Sequence, residues 1–398
     1  MHIFFSVGEP SGDLHASKLI HELRGRVPEL KVTGFGGPLM AQAGCRLRYR
    51  LTDLAVMGIL HVLPLLGRFI ALLIGAGRSF DRERPDAVIL VDFPGFNWWV
   101  ARMARRRGIP VFYYLPPQLW AWAPWRIRKV RKFIDHVLCC LDFEADWYRS
   151  RGISVHSVGH PFFDEAAEKQ LDQEFIRSQQ VAAGPGGLIV GILPGSRRHE
   201  IDLNFGVQLQ IMSNLHRRFP QARFVVANYR DSQRAMCEQK LAASGLDLPV
   251  TFHVGKTSEI IAMSQAVCMV SGSVSLECLA RATPAVVVYR SGPFHYWLGK
   301  KLITCRFISL PNLIAGWQVM PEFVILGDSQ REVIEITRIL EQWLARPEAR
   351  QRAVQDLEEI KRRVAIPGAT RRAAAAILER MPGDQSDQPS GAPRRAAA

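Results

Sequence analysis

Short apolar runs that stop at corners of small residues constrain this chain more than anything else in it. LIVGIL at 188–193 runs straight into PGSR at 194–197, and AVCMV at 266–270 runs into SGS at 271–273. Runs of this length bounded by Gly, Pro and Ser read as buried strands. Helical stretches between successive runs make βαβ units, hence a parallel sheet with right-handed crossovers. Ligands bind such sheets at the carboxyl ends of the strands. Small residues there let the backbone approach an anion, and a helix starting there offers free N–H groups. Arg197 adds a guanidinium fork suited to phosphate. Glu277, one turn into the second helix, can accept hydrogen bonds from a sugar diol. A phosphate grip beside a diol grip points to a nucleotide. Its residues would be Gly195, Ser196, Arg197, Ser271, Gly272, Ser273 and Glu277.

The same pattern runs along the whole chain. Strands are expected at 2–7, 31–35, 86–91, 110–114, 136–141 and 155–158, with helices at 11–26 and 98–107. The cluster AAGPGG at 182–187 breaks the pattern, which then restarts. Strands follow at 188–193, 223–227, 249–254, 266–270 and 284–289, alternating with helices and ending in helices at 330–345 and 348–363. At 398 residues the chain exceeds one ordinary core. The expected fold is α/β, two Rossmann-like domains facing across a cleft, although no G-x-G-x-x-G fingerprint is present. The boundaries read as 1–181, 187–365, a helix at 366–381 crossing back to the first domain, and a disordered Gly/Pro/Ser/Ala-rich tail at 383–398.

A net charge of +14 implies an anionic partner: a phosphorylated substrate, an acidic membrane surface or nucleic acid. The seven cysteines are scattered and form no C-x-x-C pair, which reads as reduced core thiols. Adjacent Cys139 and Cys140 should face opposite sides of their strand. The stretch 56–76 is almost wholly apolar, interrupted by His61, Pro64 and Arg68. It reads either as a buried helix or as an element that dips into a bilayer surface. Trp98, Trp99, Trp120, Trp122 and Trp125 lie near basic runs at 105–107 and 126–132, a pairing that suits a lipid–water interface as well as a core beside a solvated basic helix.

Eight motifs stand in order: GEPSGD at 8–13, AVMG at 55–58, DFPGFN at 92–97, WAW at 120–122, VGHP at 158–161, LPGSR at 193–197, SGSVSLE at 271–277 and SLPNLIAG at 309–316. With them the chain resembles the lipid-A-disaccharide synthases, nucleotide-sugar glycosyltransferases of the GT-B type, over roughly residues 1–380. The resemblance implies a metal-independent inverting transfer without a cofactor. It would join UDP-2,3-diacylglucosamine to 2,3-diacylglucosamine 1-phosphate, releasing UDP, at the cytoplasmic face of the inner membrane. It places Gly8, Glu9, Ser11, Gly12 and Asp13 on the acceptor side and Asn312 in the donor site, and it supports Asp92, a carboxylate at the end of its strand, as the base for the acceptor hydroxyl; Asn97 either orients Asp92, binds the acceptor or shapes the turn. Pro10, Gly95, Ser273, Val274 and YLPPQLW at 114–120 depart from the usual family pattern, which bears on acyl-chain preference. No D-x-D motif stands beside the candidate site. Nothing requires an oligomer, and a homodimer is one arrangement the sequence permits. Two rivals share some features: a UDP-sugar epimerase with the same nucleotide grip, and a nucleic-acid binder favoured by charge alone.

Overall fold

The computed structural model describes residues 1–54, 66–292 and 304–381. The AVMG motif, residues 56–65 of the apolar stretch and the 383–398 tail lie outside the described residues. The first sheet holds β1 (His2–Val7), β2 (Lys31–Gly36), β3 (Arg46–Arg50), β4 (Ala87–Val91), β5 (Val111–Tyr114), β6 (His136–Cys139) and β7 (Val155–Ser157). Its strand order is β3-β2-β1-β4-β5-β6-β7. The second holds β8 (Ile189–Leu193), β9 (Arg223–Asn228), β10 (Val250–Val254), β11 (Ala266–Val270), β12 (Ala285–Arg290) and β13 (Glu322–Ile325), in the order β10-β9-β8-β11-β12-β13. Every strand pair in both sheets is parallel.

Both sheets are doubly wound, and each reverses direction once: between β1 and β4 in the first, between β8 and β11 in the second. Those reversals open the crevices in which open α/β sheets bind ligands. The strands beside them, β1, β4, β8 and β11, are buried along their whole length, as parallel strands covered on both faces must be. Cys139 and Cys140 enter the two different cores on opposite faces of the first sheet.

One edge strand had no apolar run to reveal it. In β3 (RLRYR) the three arginines are exposed and Leu47 and Tyr49 half-buried. Short, cationic edges of this kind resist further strand addition. At the other end of the chain, the Ala369–Leu378 helix lies against the Pro10–Arg26 helix and puts Ala373, Ala374 and Ile377 into the core around β1. Its first turn is held by Asp164, whose carboxylate accepts from the Gly368 and Thr370 amides at 2.6 and 3.1 Å. Asp164 belongs to the Pro161–Glu168 helix, which follows the VGHP turn and leads out of the first sheet.

Candidate functional site

At the β1/β4 crevice, Asp92 and Phe93 follow β4 with φ of 46° and 45°. Two successive left-handed residues other than glycine are strained, and persist only where the surroundings hold them. The hold is visible. Asn97 Nδ2 donates to the Asp92 carbonyl at 2.7 Å, and the Tyr113 hydroxyl donates to the same oxygen at 2.8 Å. Asn97 also donates to the Val91 and Ser6 carbonyls, both at 3.2 Å, and its Oδ1 accepts from Ser6 Oγ at 2.7 Å. Gly8 must lack a side chain here, because a Cβ would lie 2.3 Å from the Phe93 ring. The Asp92 carboxyl lies 3.4 Å from where a Cβ on Gly12 would stand. Burial, and then the charge of Glu9, push it up to about 7, while His15 pulls it down.

Of the residues placed on the acceptor side, Glu9 and Ser11 are exposed, and the Glu9 charge is felt at Asp92. Asn97 is not available to an acceptor: it has no exposed surface, and its amide is fully engaged in shaping the strained corner. Asp13 is also a structural clamp. It is 2 % exposed and accepts from the Gly37, Leu39 and Met40 amides at 2.9, 3.0 and 3.1 Å, capping the Pro38–Gln42 helix.

The β8/β11 crevice contains a cavity of about 230 Å³. Its walls include Gly195, Ser196, Arg197, Ser271, Gly272 and Ser273, the residues expected to hold a nucleotide. Glu200, which the sequence offers as a partner for Arg197, lines it too, as do Tyr229 and Thr257, which sequence reasoning missed. Glu200 is buried and accepts from the Ser196 and Arg197 amides at 2.8 and 3.1 Å. Its other oxygen takes Arg197 Nη1 at 2.8 Å. The Ser196 amide is therefore already spent, and is not free for an anion. Gly195, with φ of 108°, has no room for a Cβ against the Glu200 side chain. The glutamate at the third helical position was the available signal, since that is where a side chain reaches back to cap its own helix.

Across the crevice, the Gly272 and Ser273 amides have no protein acceptor among the described residues. Arg197 leaves half its side chain exposed, so it can turn a face to a ligand while paired to Glu200. Glu277 faces Arg281 at 3.2 Å and is not part of the cavity wall. Asn312 is a correction: it is wholly buried, donates to the Met320 carbonyl and Glu322 at 2.7 Å, and accepts from the Val319 and Met320 amides at 2.8 Å. Glu322 also accepts from the Ile308 and Ser309 amides at 2.8 Å. Ile308 in turn receives the Ser271 hydroxyl at 2.9 Å. Asn312 thus supports the crevice from behind.

A family model described as lipid-A-disaccharide synthetase matches residues 3–375. The chain belongs to that family. A lipid-A-disaccharide synthase of Myxococcus xanthus is 34% identical over 383 residues, covering 96% of this chain and 97% of its own. One from Geobacter sulfurreducens is 34% identical over 379 residues, covering 95% and 96%. Family membership makes the chain an enzyme of lipid A disaccharide synthesis, acting on lipid A precursor sugars. Among solved structures, a UDP-GlcNAc 2-epimerase from Neisseria meningitidis bound to UDP-GlcNAc superposes with a TM-score of 0.63 at 15% identity. It covers 95% of this chain and 100% of that one. At that identity the likeness establishes the GT-B architecture alone.

Proposed function

We propose that this enzyme condenses UDP-2,3-diacylglucosamine with 2,3-diacylglucosamine 1-phosphate by inverting transfer, with the base in one crevice and the departing diphosphate in the other. Asp92 takes the proton of the acceptor 6-hydroxyl as that oxygen bonds to the anomeric carbon of the donor. The bond from that carbon to the UDP oxygen breaks on the opposite face, and the β-1,6 disaccharide 1-phosphate and UDP result. A carboxyl with a value near 7 is well matched to this task. Arg197 and the free amides of Gly272 and Ser273 meet the charge that gathers on UDP. Glu277 turns from Arg281 to the ribose hydroxyls. Glu9 and Ser11 meet the acceptor. The observation that carries this reading is the pairing of an acid at the first switch point with a cation and small-residue loops at the second. The test is a transfer assay with purified protein, acylated donor and acylated acceptor. Disaccharide formed only when both are present supports it; turnover of donor alone would mark an epimerase and overturn it.

The apolar stretch supplies the anchor. On the Leu66–Glu83 helix, Leu66, Ile70 and Ile74 are about half exposed and share one face. The neighbouring Pro94–Arg105 helix adds Trp99, 54% exposed, with Arg102 over its ring. Trp122 and Trp125 are also exposed, and Arg126 lies over Trp122. Trp98 and Trp120 belong to the core instead. No helix among the described residues is long and apolar enough to cross a membrane. We infer that this face rests peripherally on an anionic leaflet. Salt-sensitive sedimentation with anionic vesicles, reduced by Ile70→Glu, supports that; equal binding to neutral and anionic vesicles contradicts it.

A further inference from the structure

The cavity of the second sheet is longer than a diphosphate requires. Its walls come from the ends of four neighbouring strands: residues 271–273 after β11, 195–197 after β8, Tyr229 after β9 and Thr257 after β10. Paired strands lie about 4.8 Å apart, so the β9 and β10 corners stand about 10 Å beyond the pair that holds the anion. A ribose and a base fill that length. Tyr229 is the one aromatic among the described lining residues. Its side chain is 65% exposed and belongs to neither apolar core of the second sheet. Its backbone is nevertheless fixed. Gln233, buried on the Asp231–Ser244 helix, accepts from the Tyr229 and Arg230 amides, both at 3.1 Å. The same side chain donates through Nε2 to the Ser196 carbonyl, which ties the β9 corner to the β8 corner. The Arg230 guanidinium lies over the Tyr229 ring, 5.4 Å from its centre. It takes one face of the ring and leaves the other to a ligand. Beside the cavity, Lys256 donates to Asp172 and Ser258 accepts from Lys169, each at 2.6 Å. The Thr257 hydroxyl between them has no hydrogen-bond partner among the described residues and is left for whatever fills the cavity.

We propose that Tyr229 is the platform on which the base of the nucleotide stacks, with the Thr257 hydroxyl at the edge of the base. This rests on the reading of the cavity as the nucleotide site, and it gives each end of the cavity its part of the ligand. The diphosphate lies between the β8 and β11 corners, and the base lies beyond it over β9 and β10. A phenol ring on a fixed backbone loses little freedom when it stacks, because only two side-chain torsions are involved. Every base has a flat π-face, so stacking on Tyr229 grips the base without regard to its edge. A hydroxyl can donate or accept, so Thr257 serves the edge of uracil and of cytosine alike. UDP and CDP should therefore lose affinity together when this platform is removed.

The test is calorimetric titration of wild type, Tyr229→Phe, Tyr229→Ala and Thr257→Val with UDP and with 5,6-dihydrouridine diphosphate, whose saturated ring is no longer flat. Wild type should bind UDP about tenfold more tightly than the dihydro compound. Tyr229→Ala should lose about tenfold for UDP and almost nothing for the dihydro compound, whereas Tyr229→Phe should keep the wild-type difference. Thr257→Val should weaken both ligands by about fivefold. Equal affinity of wild type for the two ligands, or an equal loss for both in Tyr229→Ala, overturns the platform. Unchanged affinities in Thr257→Val overturn the contact with the base edge. Absence of saturable UDP binding to wild type overturns the nucleotide reading of the cavity itself, so the failures are told apart.

Discussion

At the β1/β4 switch point the corners collect acid: Asp92 on strained backbone, Glu9 on the facing loop, and a buried amide, Asn97, that fixes the strain. At β8/β11 the same topology collects Arg197, a glycine–serine loop with free amides, and a buried carboxylate, Glu200, that fixes the loop. The supports are opposite as well. The first crevice holds Asp92 by its backbone carbonyl, and its carboxyl has no hydrogen-bond partner among the described residues. The second holds its cation by the side chain and leaves loop amides free. One architecture therefore sets a buried carboxyl at one switch point and a guanidinium beside small-residue loops at the other, the pair that the proposed transfer would use. Their difference lies in a handful of residues at strand ends, not in the fold.

The largest effect should come from the acid crevice. Asp92→Asn is expected to cut turnover by about 10²–10⁴ while leaving UDP affinity unchanged, as read by a transfer assay beside calorimetric titration. Wild-type kcat/KM should fall as pH drops below about 7, where the base becomes protonated. Stability runs the other way. The Asp92 carboxyl is raised from 3.8 to about 7, so between those values the folded protein binds more protons than the unfolded chain. Stability then declines as pH rises through that window, and Asp92→Asn should melt higher than wild type at pH 8.

Next is the cation. Arg197→Ala should lower turnover by about 10²–10³ and weaken UDP binding, with Lys recovering part of the loss. Full UDP affinity in that variant would break the contrast between crevices. The two buried amides test the supports. Asn97→Ala and Asn312→Ala should each cost about 1–3 kcal/mol in urea unfolding, because each strands several buried backbone groups. Their kinetics should diverge: Asn97→Ala lowers kcat, and Asn312→Ala raises KM for the donor. The smallest change is Glu277→Gln. Loss of its pairing with Arg281 should alter stability by less than about 0.5 kcal/mol. Loss of the ribose contact should raise the donor KM by about tenfold.

The two sheets were legible because buried parallel strands read as unbroken apolar runs, LIVGIL and AVCMV among them. Strand β3 was not, since an edge strand is half solvated and its arginines interrupt the run. The corner residues were legible as small residues at strand ends. Which of them face a ligand was not. Asn97 and Asn312 sit in conspicuous motifs, yet their amides serve the backbone of residues brought near by folding. Tyr113, which shares the Asp92 carbonyl with Asn97, comes from the neighbouring strand β5, 21 residues away. His15 and Glu165 are 150 positions apart and meet only because the Pro161–Glu168 helix returns to the start of the chain. Glu200 alone had a local signal, its position three residues after Arg197.

A crystal structure with UDP bound tests the division of labour between the crevices most directly. The diphosphate should lie between Arg197 and the loop of Ser271, Gly272 and Ser273, with the ribose toward Glu277 and Asp92 left open across the cleft. UDP lodged instead against the Gly8–Glu9 corner, with Arg197 still paired only to Glu200, would contradict it.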